Sequence, residues 1–368
     1  MNNKITFSGS CFETRDGVDY LVLREENYYK TGFAYGSLLV LSGNKLILFF
    51  KSFKIRAIFS IIYFFKRKRL YLIKVPERYK EELEGFSQAS GIKYEYLLLA
   101  NLIYEIGCSG FGFLNSDKSL LVGHNTDTMK SLANILLRKA NPLVVSVSIP
   151  GKNLFTTVSL PGFVGVANGF NDKGIAISSH DAGSIYYKRI QNNTSSSCVL
   201  RMILEEANNL KDVEQIVRNN PAYHPGLMLI ASEKEQSFGI LELYPGDMNF
   251  ISLSGQTYVF TANHYHSEKM QKYHKEINAG SIKRYDFLKG CFVDKKDLSI
   301  DEAITILKNT QHGTKRDTTG HSVANEGTFQ SFIFDVTNHC VYISNGNKVP
   351  VPLNGNFIKI KTVDELLK

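Results

Sequence analysis

The spacing of hydrophobic and polar positions divides the first third of the chain into two kinds of structure. Residues 5–24 predict short strands around a turn at residues 15–17, Arg-Asp-Gly. Residues 28–104 predict mostly helices. The helix over residues 76–91 has a proline and acidic residues in its first turn, apolar residues at helical spacing and a glycine at its end. A second helix fits residues 94–104.

The pattern changes to short strands over residues 108–183. Valine and serine alternate along residues 143–149, which is the two-residue period of a half-buried strand. Residues 163–167 and 175–179 predict two strands joined by Asn-Asp-Lys-Gly at residues 171–174, a typical hairpin turn.

The rest of the chain predicts more helices and strands. Helices fit residues 197–218, 267–277, 284–289 and 299–308, and strands fit residues 227–230, 238–243, 328–335 and 340–344. Because hairpins join most of the strands, we expect antiparallel sheets rather than a doubly wound parallel sheet. With no repeat or clear linker, the sequence predicts one α+β domain with two layers of sheet.

Composition adds a concentrated positive charge to this picture. The 368 residues are 43% hydrophobic, enough for a large core, and carry a formal net charge of +8. Residues 45–74, rich in aromatic and basic side chains, account for the excess charge. The composition of this stretch is compatible with binding to anionic lipid, to the phosphates of coenzyme A or to nucleic acid. We favour instead a helix whose buried face carries the aromatic residues. No nucleic-acid-binding motif occurs, so no nucleic-acid partner is expected.

Five widely spaced cysteines and the absence of Cys-x-x-Cys favour a reducing compartment. The first residues lack the pattern of a signal peptide, and the most apolar segment, residues 46–65, is interrupted by Lys51, Lys54 and Arg56. We therefore expect a cytoplasmic protein without a membrane-spanning helix. No metal is expected, since His264 and its neighbours lack acidic or cysteine partners at ligand spacing.

Cys108 lies at the start of a predicted hairpin. A turn centred between Ser116 and Asp117 would place Cys108 opposite Asn125, with Asp127 on the same face. Such a hairpin brings a thiol, an amide and a carboxylate together. The alternative is that Cys108 is a buried core cysteine, as free cysteines often are.

Gly107 offers Cys108 a route to its own base. Glycine can adopt a strained backbone and expose its carbonyl to the thiol, so that an N-to-S acyl shift and hydrolysis would free the Cys108 α-amine. An α-amine has a pKa of about 7.7–8.0, suited to a base at neutral pH. Cys108 would then supply both nucleophile and base.

The motifs Gly107-Cys108-Ser109-Gly110 and Gly123-His124-Asn125-Thr126-Asp127 resemble the start of the mature chain in a family of N-terminal-nucleophile (Ntn) hydrolases, the acyl-coenzyme A:6-aminopenicillanic acid acyltransferases. They are more distantly similar to choloylglycine hydrolases and penicillin V acylases. Four further blocks resemble the same family: residues 76–91, 168–176, 261–265 and 328–335.

This resemblance implies a four-layer αββα sandwich with two antiparallel sheets between helical layers. It also implies cleavage between Gly107 and Cys108, which gives an N-terminal segment of residues 1–107 and a catalytic chain of residues 108–368 packed in one domain. The implied activity is that of an amide hydrolase, acting on a linear amide C–N bond other than a peptide, or of an N-acyltransferase, through a thioester on Cys108.

The resemblance also implies residue roles. Asp127 would orient the Cys108 amine, the amide of Asn263 would donate to the oxyanion with backbone help near Asn171, and Arg316 would be the family's late arginine. Where many relatives have an arginine, this chain has His124, which puts bile-salt and penicillin V substrates in doubt. We assign His124 and Asn125 as candidates for substrate binding.

Three hypotheses follow for the function. The first is the Ntn enzyme, with a small-molecule amide or acyl donor as its partner and no cofactor, although acyl-coenzyme A could serve as the donor. The second is a catalytically decayed Ntn scaffold that binds anionic lipid or a membrane surface through residues 45–74. The third, a papain-like cysteine protease, is weaker because the sequence around Cys108 lacks that class's pattern. Oligomers are compatible with each hypothesis.

Overall fold

Two β-sheets face each other at the centre of the molecule, and helices cover the outer face of each. The computed structural model describes residues 4–102, 107–183, 190, 192–310 and 320–362. The apolar side chains of the described residues form three clusters, one between each neighbouring pair of layers. The molecule is therefore a four-layer αββα sandwich.

The larger sheet has ten strands. In their order across the sheet they are β1 (Ile5–Phe7), β2 (Ser10–Arg15), β3 (Val18–Arg24), β7 (Leu143–Ser148), β8 (Phe155–Ser159), β9 (Asn168–Asn171), β10 (Ile175–His180), β12 (Gly226–Ser232), β13 (Ser237–Tyr244) and β14 (Asp247–Leu253). Neighbouring strands are antiparallel except β3 and β7, which are parallel. The chain makes several helices and a hairpin of the smaller sheet between them, and parallel pairing requires such a crossover.

The smaller sheet has six strands, all antiparallel to their neighbours. In order they are β15 (Tyr258–Thr261), β5 (Gly107–Leu114), β6 (Leu120–Asp127), β16 (Thr328–Asp335), β17 (Cys340–Ser344) and β18 (Phe357–Lys361). A short parallel pair lies outside both sheets and consists of β4 (Ile73–Lys74) and β11 (Asn193–Thr194).

The helices fall into two layers and three outlying elements. On the larger sheet lie α1 (Tyr28–Leu41), α2 (Lys45–Lys51), α3 (Phe53–Leu70), α4 (Glu77–Ser90), α5 (Tyr94–Leu102), α7 (Ser196–Glu206) and α8 (Leu210–Asn219). On the smaller sheet lie α10 (Ala279–Phe292) and α11 (Ile300–Leu307). The others are α6 (Lys130–Lys139), α9 (Glu268–Gln271) and α12 (Val351–Asn354).

The predicted fold class is confirmed, and several local predictions with it. The turn at residues 15–17 places Asp16 and Gly17 at positive φ between β2 and β3. Helix α4 begins after Pro76 and ends at Gly91, whose φ of 72° is the left-handed conformation that glycine adopts without steric cost. The two closing strands, β16 and β17, have the predicted bounds.

Two local predictions are wrong, and one helix was not predicted. Residues 163–167 are not a strand, because the side-chain oxygen of Asn101 accepts the amide hydrogens of Val164 and Gly165, which a neighbouring strand would otherwise bind. Residues 267–277 contain only the four-residue α9, since the loop before it is tied to the Glu242 carboxylate. Helix α6 was not predicted, although one side of it is apolar.

The structure gives one bent candidate for a membrane span. Within the described ranges, no single helix has the length and apolar composition to cross a membrane. Only α1 and α2 taken together reach that length, and they are bent by 98° at the break between them. Much of α1 is buried against the core.

Candidate active site

Cys108 is the second residue of β5, and its partner across the hairpin is Thr126 rather than Asn125. The predicted register is wrong by one residue because the loop is longer than the two-residue turn assumed. Lys118 takes a φ of 71°, and its amide donates to the Asn115 carbonyl, as in a three-residue hairpin loop. A one-residue shift moves Asn125 and Asp127 to the face opposite the Cys108 side chain.

The Cys108 side chain therefore points between the two sheets. It shares this face with Thr126 and, on the next strand, Gln330, which lines a cleft between the sheets. Gly110 occupies the following inward position of β5. A Cβ there would lie 2.8 Å from the His180 ring, so the glycine permits the close approach of the larger sheet.

The backbone of Cys108 is held from both sides by buried polar groups. Its amide donates to Asn263 Oδ1 at 3.1 Å, and its carbonyl accepts from Arg284 Nη1 at 2.5 Å. The same guanidinium donates to Ser109 Oγ at 2.8 Å and, through Nη2, to Asn263 Oδ1 at 2.8 Å. Arg284 and Asn263 thus fix the position of the residue that carries the thiol.

Asp127 lies opposite Gly107 and is positioned by strand β16. Its Oδ1 accepts from Thr328 Oγ1 at 2.6 Å and its Oδ2 from Asn325 Nδ2 at 2.9 Å. The Arg284 Nη1 to Asp127 Oδ2 distance is 3.6 Å. A carboxylate held in this way supplies fixed negative charge next to the Gly107–Cys108 bond.

Cys108 is fully buried in the uncut chain. Burial raises the pKa of its thiol well above the ordinary value, the Asp127 carboxylate adds to the rise, and the Arg284 guanidinium opposes it. A raised pKa keeps the thiol protonated at neutral pH, and the protonated form is a weak nucleophile. The thiol therefore needs a base or a change of surroundings before it can react.

The cleft beside this cluster has a volume of about 700 Å³, within the usual range for small-molecule sites. Its polar side contains Gly107, Asp127, Asp181, Asn263, Arg284 and Asn325. The rest is largely apolar and includes Leu132, Leu136, Val158, Leu160, Phe163 and Phe329. The cleft suits a ligand with one polar group and a hydrocarbon part.

Comparison with known proteins identifies the family. The sequence pattern of the acyl-coenzyme A:6-aminopenicillanic acid acyl-transferase family matches residues 114–349, which is most of the chain. The chain belongs to this acyl-transferase family. The match begins beyond Cys108, so it does not include the proposed nucleophile. Among curated protein sequences, none matches the chain.

Several solved structures are similar to the chain at low identity. An N-acylethanolamine-hydrolyzing acid amidase orthologue from Caenorhabditis elegans is 14% identical with a TM-score of 0.45, over 62% of this chain and 93% of that one. A mutant of conjugated bile acid hydrolase from Clostridium perfringens is 11% identical with a TM-score of 0.47, over 70% and 93%. Penicillin V acylase from Agrobacterium tumefaciens is 11% identical with a TM-score of 0.42, over 70% and 86%.

The structure brings only some of the residues suggested by the acyl-transferase family resemblance to the cleft. Gly107, Asp127 and Asn263 line the cleft, and the buried Cys108 is next to Gly107 in β5 but is not among the lining residues. Asn263 Nδ2 donates to the Asp181 carbonyl at 2.9 Å and carries a second hydrogen, so its oxyanion role stays a prediction. Arg316 lies outside the described residues.

Asn171, His124 and Asn125 are not among the residues that line the cleft, and the roles predicted for them stay predictions. The Asn171 side chain donates to carbonyls at the end of α7 and accepts from the turn after β9. Asn125 faces the helices on the smaller sheet, where its amide donates to the Leu307 and Val323 carbonyls. His124 is buried between the sheets, with Nδ1 2.7 Å from Ser178 Oγ.

Arg284, Asn325 and Thr328 were not predicted as site residues. Arg284 is on α10, far from Cys108 in sequence, and nothing in the helical pattern around it distinguishes it from a surface arginine. The buried cation next to Cys108 comes from α10, not from the position of His124 on β6.

Proposed function

We propose that the protein is an autoproteolytic cysteine Ntn hydrolase or acyltransferase with Cys108 as its nucleophile and a small linear amide as its substrate. One observation carries the proposal: the Gly107–Cys108 bond borders the polar side of the cleft, with the amide of Cys108 held by Asn263 and its carbonyl held by Arg284.

The first reaction would cut the chain. Cys108 Sγ attacks the Gly107 carbonyl carbon, the peptide C–N bond breaks, and the thiol proton passes to the departing nitrogen. The Gly107 acyl group is then a thioester on Cys108, whose amine is free. Water hydrolyses the thioester, which leaves a carboxylate on Gly107 and restores the thiol.

After cleavage the Cys108 nitrogen is an amine that can act as the base. It stays within reach of Asn263 Oδ1, which already accepts its hydrogen bond in the uncut chain. The amine takes the thiol proton as sulfur attacks the substrate carbonyl, and returns it to the leaving amine. The nearby guanidinium of Arg284 favours negative charge that develops in this region.

The cut chain would remain one domain. Strand β3, from the N-terminal segment of residues 1–107, pairs along its length with β7 of the chain of residues 108–368. Helices α1, α4 and α5 share a continuous apolar cluster with α7 and the larger sheet. Because this buried surface does not depend on the cut peptide bond, both segments should stay associated.

The shape of the cleft supports an acyl substrate. A hydrocarbon chain fits along Leu132, Leu136 and Phe329, and an amide fits beside Asp127 and Asn263. Hydrolysis and acyl transfer share the Cys108 thioester and differ in whether water or an amine resolves it. The reaction uses no cofactor, and an acyl-coenzyme A thioester would serve as an acyl donor.

Trapping the thioester tests this proposal. The protein is incubated with N-acyl amino acids, β-lactams, bile amides and acyl-coenzyme A thioesters, quenched in acid and digested. We expect an acyl group on the peptide that begins at Cys108. Cys108→Ala should abolish the adduct, whereas Cys291→Ala, which removes a more accessible thiol elsewhere, should not. Turnover by an unprocessed Cys108→Ala chain would refute the proposal.

A further inference from the structure

Helix α3 exposes apolar side chains along its outer face. Phe53, Ala57, Ile61 and Phe64 follow helical spacing, and Phe65 lies beside them. Phe53 is 86% exposed and Phe65 is 76% exposed. Isolated exposed apolar residues are common on protein surfaces, but a continuous row along an 18-residue helix marks an interaction surface.

The opposite face of α3 already holds the helix on the protein. Phe59, Ile62 and Tyr63 pack against the cluster between the helices and the larger sheet. Phe59 also contacts the rings of Phe50 and Tyr96, with centroids 5.2 and 5.9 Å away. The exposed row is therefore not needed to attach α3 to the fold, and something else accounts for it.

Positive charge surrounds the exposed row. Two lysines lie in α2, six lysines and arginines in α3, and three in α6, and the sequences of these three helices contain no aspartate or glutamate. The chain as a whole has 35 acidic residues among 368, and α2 packs against both α3 and α6. Of the cations in these helices, Lys130 pairs with Glu326, which lies outside them.

The charged and apolar surface continues to the mouth of the cleft. Helix α2 packs beside α6, where Lys139 Nζ lies 5.5 Å from the centre of the Phe49 ring. Helix α6 contributes Leu132 and Leu136 to the cleft, and Met129, which precedes it, also lines the cleft and is 73% exposed. Helix α2 therefore connects α3 to α6, which reaches the cleft, and we call the outer faces of these three helices the docking surface.

We propose that this docking surface lies on an anionic phospholipid bilayer. The apolar row would enter the boundary between headgroups and acyl chains while the lysines and arginines contact lipid phosphates. Binding of this kind requires no catalysis, so the inference is independent of the proposed reaction. It places the mouth of the cleft next to the membrane.

Other occupants fit the surface less well. A second copy using the same surface would bring two sets of positive charges together, which is unfavourable in a two-fold dimer. A nucleic acid would pair with the charges but leave the apolar row in water. The phosphates of one coenzyme A molecule are too small to cover a helix about 27 Å long.

Vesicle flotation tests the proposal with the full chain. We expect the protein to float with vesicles of 70% phosphatidylcholine and 30% phosphatidylserine, and to bind pure phosphatidylcholine at least about tenfold more weakly. The Phe64→Ser/Phe65→Ser variant should lose at least about tenfold in affinity for the mixed vesicles. The matched control, Val293→Ser/Leu353→Ser, changes two exposed apolar residues on other elements and should bind normally.

A second pair of variants tests the charges. Reversing Lys66, Arg67 and Lys68 to glutamate should abolish flotation, whereas reversing Lys211, Lys234 and Lys296 changes net charge equally and should preserve most of it. Circular dichroism confirms that each variant is folded. Cys108→Ala should bind as the unsubstituted protein does, so loss of catalysis and loss of docking are separable.

Three outcomes would overturn the proposal. One is equal binding by the Phe64/Phe65 variant and its control. Another is a dimer in sedimentation velocity that the Phe64/Phe65 variant dissociates, which would assign the surface to a second copy. The third is absence of flotation together with tight, salt-sensitive binding of an RNA oligonucleotide.

Discussion

The structure contains two buried arginine clusters that differ in what faces the guanidinium. In the Arg201 cluster, Arg201 contacts two carboxylates, Glu82 at 2.6 Å and Glu205 at 2.9 Å. In the Arg284 cluster, the guanidinium donates to the Cys108 carbonyl and to Asn263, and Asp127 is 3.6 Å away. The Arg284 cluster borders the 700 Å³ cleft, whereas the Arg201 cluster lies among helices and the larger sheet.

The difference shows how one residue type can serve stability or chemistry. Two carboxylates and the Val164 carbonyl surround Arg201, so removing it leaves buried negative charge behind. Arg284 is instead directed at the backbone of the residue that carries the thiol, and its charge is available to a group that becomes negative during reaction. Burial alone would not have distinguished the two.

The largest expected effect is on stability at the Arg201 cluster. In a Cys108→Ala background, which keeps the chain uncut, Arg201→Met should lower the free energy of unfolding by about 3–5 kcal/mol in urea titration. Arg218→Met removes an exposed arginine that pairs with Glu214 and should cost about 1 kcal/mol or less. Equal losses for the two variants would contradict the structural role of Arg201.

The next largest effect is on cleavage at the Arg284 cluster. Arg284→Met should slow appearance of the chain beginning at Cys108 by about 10²–10³-fold, because a preorganised donor is lost. Arg284→Lys should recover part of the rate, since it keeps the charge but not the planar fork. Mass spectrometry over time gives the rates. A normal cleavage rate in Arg284→Met would show that the Arg284 guanidinium does not serve the reaction, and would contradict the contrast drawn with Arg201.

Low pH should destabilise the folded protein through His124 and His180, two buried histidines next to Gly110. Burial lowers the pKa of His124 to about 3, and burial, His124 and Arg284 together lower the pKa of His180. Because the unfolded histidine titrates near 6.5, the folded state binds fewer protons between pH 3 and 6.5, so stability is present above pH 6.5 and falls as pH decreases.

His124→Gln isolates the contribution of that histidine. When the pH is lowered from 7 to 5, the free energy of unfolding should fall by about 2 kcal/mol more in the protein with His124 than in the His124→Gln variant. Urea titrations at both pH values, in the Cys108→Ala background, give the difference. An identical pH dependence in both proteins would show that His124 is not buried in its neutral form.

The smallest expected effect is of Gly107→Ala on folding. A Cβ at Gly107 would lie 3.6 Å from Asp127 Cβ, an ordinary contact, so the unfolding free energy should change by less than about 1 kcal/mol. Gly110→Ala serves as the contrast, because its Cβ would meet the His180 ring at 2.8 Å and cost about 1–3 kcal/mol. Comparable losses at both positions would place Gly107 in a tighter site than the structure shows.

The sequence predicted the fold better than the site. Hairpin turns and helix ends are local, so the turn before β3 and the ends of α4 could be located from neighbouring residues. The register of the Cys108 hairpin depended on whether Lys118 adopts the left-handed conformation, which its residue type does not favour. That single residue decided whether Asn125 or Thr126 shares a face with Cys108.

Local sequence patterns do not predict contacts between segments that are distant in the chain. Arg284 reaches Cys108 only because α10 packs on the smaller sheet, and Asn325 reaches Asp127 only because β16 lies beside β6. The same limit applies to Asn171. It lies in a turn that resembles a family block, and the local pattern does not show that its side chain donates to carbonyls at the end of α7.

Intact mass spectrometry of the purified protein tests the central claim most directly. Self-cleavage at the Gly107–Cys108 bond predicts two chains under denaturing conditions, residues 1–107 and residues 108–368, and a single chain of 368 residues for Cys108→Ala. The same two masses from Cys108→Ala, or one intact chain from the unsubstituted protein after prolonged incubation, would contradict it.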